Sequence, residues 1–212
     1  MMLSQLGEGM IKTCGIFFWT LLFSLPLGMI VAFGRMAKNP LLRNFTRLYI
    51  AVMRGTPLML QLFVVYFGPF YLFGWKLSTS WRFFAVIIGF VLNYAAYFAE
   101  IYRSGIQSMP VGQYEAAKVL GYNKNQTFFK IVLPQVIKRI LPSITNEVIT
   151  LVKDTSLAFA IAYSEMFTAA KEIAAASKSM TALFVAGVFY FIFNLLVDFL
   201  MGKLEKKLDY YH

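Results

Sequence analysis

The chain has 212 residues, 59% hydrophobic, 17% aromatic and only 14% charged, with a mean hydropathy of +0.64. Soluble domains carry roughly 25% charged residues, so this composition excludes a soluble enzyme, a disordered scaffold and a secreted disulfide domain. The formal charge of +10 is read as the basic-loop bias of a membrane chain and not as nucleic-acid binding. With Cys14 the one cysteine and His212 the one histidine, no internal disulfide, His-dependent triad or Cys/His metal site is expected.

Five apolar stretches long enough to cross a bilayer follow in chain order. The first is Gly15 to Phe33, with Pro26 inside it, and it reads as a retained helix. The second begins near Leu48, meets Arg54-Gly55-Thr56-Pro57 and runs uncharged to Trp75. It is too long for one straight span, so a break is expected at Gly55 to Pro57, with an outer loop from Gly68. The third is Phe83 to Tyr102, the fourth Val136 to Ser164 and the fifth Ser179 to Val197. The expectation is an all-α membrane protein of about five transmembrane helices, residues 1–212 forming a single domain.

Loop charge orients these spans. Arg35, Lys38, Arg43, Arg47, Arg103, Lys118, Lys124, Lys130, Lys138, Arg139, Lys203, Lys206 and Lys207 put 13 basic residues on one side. Lys12, Lys76, Arg82, Lys171 and Lys178 put five on the other. The positive-inside bias therefore predicts an outer N-terminus and a cytoplasmic C-terminus.

The polar segment 105–134 reads as a structured cytoplasmic loop. Pro110 suits a first helical turn, and Gly121 suits the left-handed residue that ends a helix. Asn123 or Asn125 can cap a second helix whose apolar side is Phe128, Phe129, Ile131 and Leu133.

Glu115-Ala116-Ala117, Gly121, Ile131 and Leu133-Pro134 stand at the spacing EAA, x3, G, x9, I, x, LP. This resembles the EAA loop of ABC importer permeases at every fixed position. Arg54-Gly55-Thr56-Pro57 with Gln61, Glu100-Ile101-Tyr102-Arg103-Ser104-Gly105 and Lys153-Asp154-Thr155-Ser156-Leu157 are similar to phrases of the polar amino acid uptake subfamily. The resemblance covers nearly the whole chain and implies a type I ABC importer permease fold. It implies the permease subunit of an ATP-driven, binding-protein-dependent importer of a polar or charged amino acid in a bacterial inner membrane. Implied partners are two ABC ATPase subunits, a second permease subunit (a copy or a sister) and an extracytoplasmic amino-acid-binding protein. It also makes Glu115, Ala116, Ala117, Gly121, Ile131, Leu133 and Pro134 the ATPase-coupling residues. The sequence lacks a G-x-x-x-x-G-K-[ST] phosphate loop, so ATP and Mg are expected on the partner ATPase and no cofactor on this chain.

Charge at membrane depth is costly and faces a bundle interior, a partner or a water path. Ser143, Glu147, Thr150 and Asp154 fall on one helix face. Glu147, Thr150, Asp154, Thr155 and Ser156 are therefore candidates for the substrate path, with Arg54 and Thr56 at the expected break. Two readings stay open for the charged members. Glu147 and Asp154 can line the path or pair with Arg54 or a neighbouring subunit. Arg54 can meet a substrate carboxylate or snorkel to the inner headgroups, and Glu100 can simply pair with Arg103. Two further functions compete: an ion-gradient-driven secondary transporter using Glu147 and Asp154, and a non-transporting membrane scaffold. Five spans without an evident internal repeat argue against the first.

Overall fold

The computed structural model describes residues 2–208, so the expectation for His212 lies outside the described residues. The helices are α1 (Met2–Arg35), α2 (Pro40–Gly55), α3 (Leu58–Phe73), α4 (Thr79–Gln107), α5 (Val111–Val119), a short α6 (Lys124–Gln126), α7 (Leu133–Asp154), α8 (Met166–Ser177) and α9 (Thr181–Leu208). A π-helical stretch, Thr127–Val132, leads into α7, and a 3-10 stretch, Thr155–Ile161, leaves it. No strand occurs among the described residues.

By length and composition α1, α4 and α9 can each cross a membrane, and the bent α2–α3 pair makes a fourth crossing if taken as one span. The five expected segments correspond to α1, α2–α3, α4, α7 and α9. Of these, α7 is the one that its charged residues make too polar to qualify by composition.

α4 is the hub, packed against α1, α2, α3 and α7, with Phe90, Tyr94 and Phe98 buried along it. α1 offers it a stripe of mostly small side chains: Thr13, Thr20, Ser24, Gly28 and Ala32 are buried. Small residues let helix backbones approach closely. A methyl group on Gly28 would stand 2.9 Å from Phe98 Cβ and 3.1 Å from the Ala95 carbonyl oxygen. Pro26 remains inside α1 without ending it, as membrane bundles tolerate.

The expected break at Gly55 to Pro57 is present: α2 and α3 meet at 111°. Pro57 disfavours helical backbone at the residue before it, and Thr56 is extended, with φ −123 and ψ 148. The carbonyls freed by the break are then satisfied by side chains. Gln61 Nε2 donates to Met53 O at 2.9 Å and to Thr56 O at 3.1 Å. Asn93 Nδ2, from α4, donates to Met53 O and to Gln61 Oε1, both at 3.0 Å. Asn93→Ala should cost about 1–3 kcal/mol, because Met53 O and Gln61 then lose a partner in a buried place. Thermal unfolding of the purified variant in detergent checks this, and an unchanged midpoint would mean that the knot does not hold the bend.

One boundary differs from expectation. The loop expected from Gly68 begins instead at Gly74, left-handed at φ +68, because α3 runs on through Pro69 to Phe73. The apolar run Phe70 to Phe73 keeps the segment helical where glycine and proline alone suggested an end.

The two ends of the bundle are distinct. At one, α1 meets the start of α8, where Met166 N donates to Thr13 Oγ1 at 3.3 Å. At the other, Phe33 meets Phe128 edge to face, 6.2 Å between centroids, beside the α5–α6 loop. α9 runs from the first end to the second, where Glu205 accepts from Thr145 at 2.7 Å.

Candidate translocation cavity and coupling loop

A cavity of about 310 Å³ lies between the end of α2, the second half of α4 and the middle of α7. Its volume is at the lower end of the range of small-molecule sites. Arg54 enters from the broken end of α2, its guanidinium 5.2 Å above the Tyr97 ring. It is therefore held over an α4 aromatic, the geometry of a cation–π contact, and lines the cavity. Glu147 and Ser143, one turn apart on α7, form the facing wall. Among the described residues neither Arg54 nor Glu147 makes a hydrogen bond or ion pair. Pairing of Arg54 with Glu147 or Asp154 within this chain, one of the two readings left open, is not what the structure adopts.

The other charges of the cavity wall are satisfied. Glu100 pairs with Arg103, as the sequence suggested. Arg139 donates to Ser108 O at 2.6 Å and to Ser108 Oγ at 3.0 Å. Arg54 and Glu147 are thus one cation and one anion left open in the same space.

The remaining candidates are not brought into this cavity. Asp154, half-buried at the far end of α7, accepts a hydrogen bond from Tyr94 Oη at 2.8 Å. Thr150 Oγ1 donates to Asn146 O at 2.9 Å, and Thr56 Oγ1 donates to Val52 O at 2.8 Å. Thr155 and Ser156 donate to Val152 O at 2.7 Å and Lys153 O at 2.8 Å. Such back-bonding offers the chain an alternative to the straight α-helix, and here it accompanies a change to 3-10 geometry. The stretch Val136 to Ser164, expected as one span, is accordingly α7 followed by a 3-10 segment that ends at Ala162 with φ +55.

Four residues that hold the candidates, the bend or a helix end are not singled out by the sequence: Tyr94, Tyr97, Asn93 and Glu165. The first three lie in an apolar run and carry no motif of their own. Glu165 is fully buried and caps α8, accepting from Phe167 N at 2.6 Å, Thr168 N at 2.8 Å and Tyr190 Oη at 3.1 Å. A Glu followed by Met-Phe-Thr gives little warning of such a cap.

At the end of the bundle nearest the cavity, α5 carries Glu115, Ala116 and Ala117. Its C-terminus closes as expected: Tyr122 N donates to Ala117 O and Gly121 N to Lys118 O, each at 3.0 Å, with Gly121 at φ +78. This is the two-bond cap that a left-handed residue completes. Asn123 caps α6, and Gln126 returns the bond to its backbone. Two details differ from expectation. Ala117 is buried against its own chain, so Ala116 and Glu115 are the exposed part of the triplet. Phe129 is exposed, while its neighbour Phe128 packs against Phe33. Val111, Val119, Leu120 and Phe129 leave apolar surface open on this otherwise polar loop. Ile131 and Leu133 are half-buried beneath it, while Pro134 stands in the first turn of α7.

The chain is similar to known transport proteins over almost its full length. The L-cystine transport system permease protein TcyB of Bacillus subtilis is 36% identical over 208 residues, 97% of this chain and 87% of that protein. The arginine transport system permease protein ArtQ of the same organism is 34% identical, covering 95% of this chain and 91% of its own. Among solved structures, a crystal structure of an amino acid ABC transporter with histidines superposes with a TM-score of 0.87. It is 29% identical and covers 96% of this chain and 94% of that one. The MetNI methionine ABC transporter shares the fold at 18% identity, with a TM-score of 0.78 over 98% and 97% of the two chains. Residues 24–210 match the family described as the binding-protein-dependent transport system inner membrane component, and the chain belongs to that family.

Proposed function

We propose that this membrane protein is the permease subunit of an ATP-driven importer that takes up a polar or charged amino acid. The observation that carries this reading is the cavity in which Arg54 and Glu147 make no hydrogen bond or ion pair among the described residues. A free amino acid presents one carboxylate and one ammonium. A guanidinium suits the first, by bidentate contact, and a carboxylate suits the second. Asp154, held by Tyr94 at the outer end of α7, is an earlier polar station on the same helix face, with Thr150, Thr155, Ser156 and Thr56 around the route.

Residues 1–212 act as one transmembrane domain in a bacterial inner membrane, N-terminus outside and C-terminus in the cytoplasm. The 13 basic residues against five support that orientation. The exposed face of α5 is then cytoplasmic and docks on one of two ABC ATPase subunits, where ATP and Mg are used; this chain is not itself an enzyme. A second permease subunit completes the path, and an extracytoplasmic amino-acid-binding protein delivers substrate. Glu115, Ala116 and Gly121 form the docking surface, with Ala117, Ile131, Leu133 and Pro134 holding its shape. Apolar surface left open on a polar loop is the usual mark of a protein contact.

Gly121→Val tests the docking surface. A side chain there meets nothing within 4 Å, so the cost is the left-handed backbone, roughly 1–2 kcal/mol. The bundle should stay folded while stimulation of the ATPase by substrate falls; normal coupled transport would mean that this turn does not transmit the signal. The substrate is tested by purifying the subunit with its native ATPase and binding protein and identifying the bound small molecule by mass spectrometry. Recovery of an amino acid is expected, and a sugar or a metal ion in its place would overturn the assignment.

A further inference from the structure

α2 carries two opposed stripes, neither of them used by the cavity. Leu41, Phe45, Leu48 and Val52 recur at spacings of four, three and four, and they are between 45% and 80% exposed. Arg43 and Arg47 lie one turn apart on roughly the opposite side, also exposed. The face between the stripes fastens the helix to the bundle: Thr46 and Ile50 are buried, and Tyr49 Oη donates to Leu92 O at 2.5 Å. α2 turns 111° away from α3, so an α3 that crosses the bilayer leaves α2 running close to the membrane plane. No acidic residue occurs between Glu8 and Glu100. Among the described residues Arg35, Lys38, Arg43 and Arg47 make no ion pair.

We propose that α2 is an in-plane surface helix that binds anionic phospholipid headgroups at the end of the bundle carrying α5. Leu41, Phe45, Leu48 and Val52 lie among the acyl chains. Arg43 and Arg47, with Arg35 and Lys38 from the preceding turn, hold the lipid phosphates. A helix with basic residues on one face and bulky apolar residues on the other adopts this position. Charge complementarity selects the occupant. A second copy of this chain would bring the same uncompensated positive charge, and an acidic protein would leave the apolar stripe unexplained. The inference needs the chain to be a membrane protein but not to be an importer, so its test uses neither ATPase nor substrate.

The full chain is reconstituted in phosphatidylcholine vesicles with and without phosphatidylglycerol, then extracted, and retained phosphatidylglycerol is measured by native mass spectrometry. Arg43→Gln with Arg47→Gln should weaken phosphatidylglycerol binding about thirtyfold, a factor of about five per arginine. Arg43→Lys with Arg47→Lys should keep most of it. Affinity within twofold of the parent in the glutamine pair would overturn the proposal. So would loss of an acidic protein contact with lipid binding unchanged. Should the glutamine pair fail to fold, fluorophore quenching by brominated acyl chains decides. In a Cys14→Ser background, a label at Leu48→Cys should be quenched and one at Arg47→Cys should not. Equal quenching at the two positions would equally overturn it.

Discussion

Arg54→Gln should lower transport at least tenfold while the subunit still folds and assembles. The guanidinium makes no ion pair within the described chain and stacks on Tyr97, so its removal breaks no ion pair in the empty protein. What disappears is the charged contact to the substrate carboxylate, worth about 1.5–3 kcal/mol, which is roughly ten- to over a hundredfold. Glu147→Gln should give a loss of similar size, because it removes the partner of the ammonium across the same cavity. The two substitutions together should fall short of the sum, since one bound molecule bridges both sites. Asp154→Asn is the contrast: the amide oxygen can still accept from Tyr94, so transport should fall by less than tenfold. Uptake into proteoliposomes at saturating ATP measures all four. An Arg54→Gln protein that assembles and transports at the parent rate would remove this cavity from the path.

Gly28→Leu should have a large effect on the fold. Here the obstacle is mainly backbone and a Cβ, which cannot swing aside: Phe98 Cβ at 2.9 Å, Ala95 O at 3.1 Å and Ala99 N at 3.3 Å. A bulky side chain must push α1 off α4 along the stripe that includes Thr20, Ser24 and Ala32. Overpacking of this kind costs typically 1–3 kcal/mol and more where neighbours cannot relax. The yield of monodisperse protein and its melting temperature in detergent should both drop sharply. Gly187→Leu, at a position with nothing within 4 Å, should leave both nearly unchanged. Equal tolerance at the two glycines would mean that α1 and α4 are not packed as described.

Much of this architecture is legible in the sequence because the bilayer allows few alternatives. Uncharged runs of sufficient length marked α1, α4 and α9, and Thr56-Pro57 marked the break, since proline excludes helix from the residue before it. Gly121 was legible for a similar reason: its place after a helix-forming stretch admits few backbone states. Asn93, by contrast, lies among apolar residues, and its role appears only when the fold brings it to Met53 O and Gln61. The same limit applies to the site. Sequence periodicity put Glu147 and Asp154 on one face, but distance along a helix separates them. The cavity takes Glu147, and Tyr94 takes Asp154. Whether Arg54 points inward or out depends on Tyr97, 43 residues away on another helix. Burial of Ala117 depended on the way α5 folds back, which the EAA spacing does not record.

The central claim, that this subunit passes an amino acid inward at the expense of ATP, is tested by reconstitution. Purified permease, its ATPase and its binding protein are placed in proteoliposomes with radiolabelled amino acids outside and ATP inside. Uptake is then compared with and without ATP and with ionophores that collapse every ion gradient. The account predicts amino acid accumulation that requires ATP and binding protein, survives the ionophores and falls at least tenfold in Arg54→Gln. Accumulation that persists without ATP and vanishes with the gradients would contradict it.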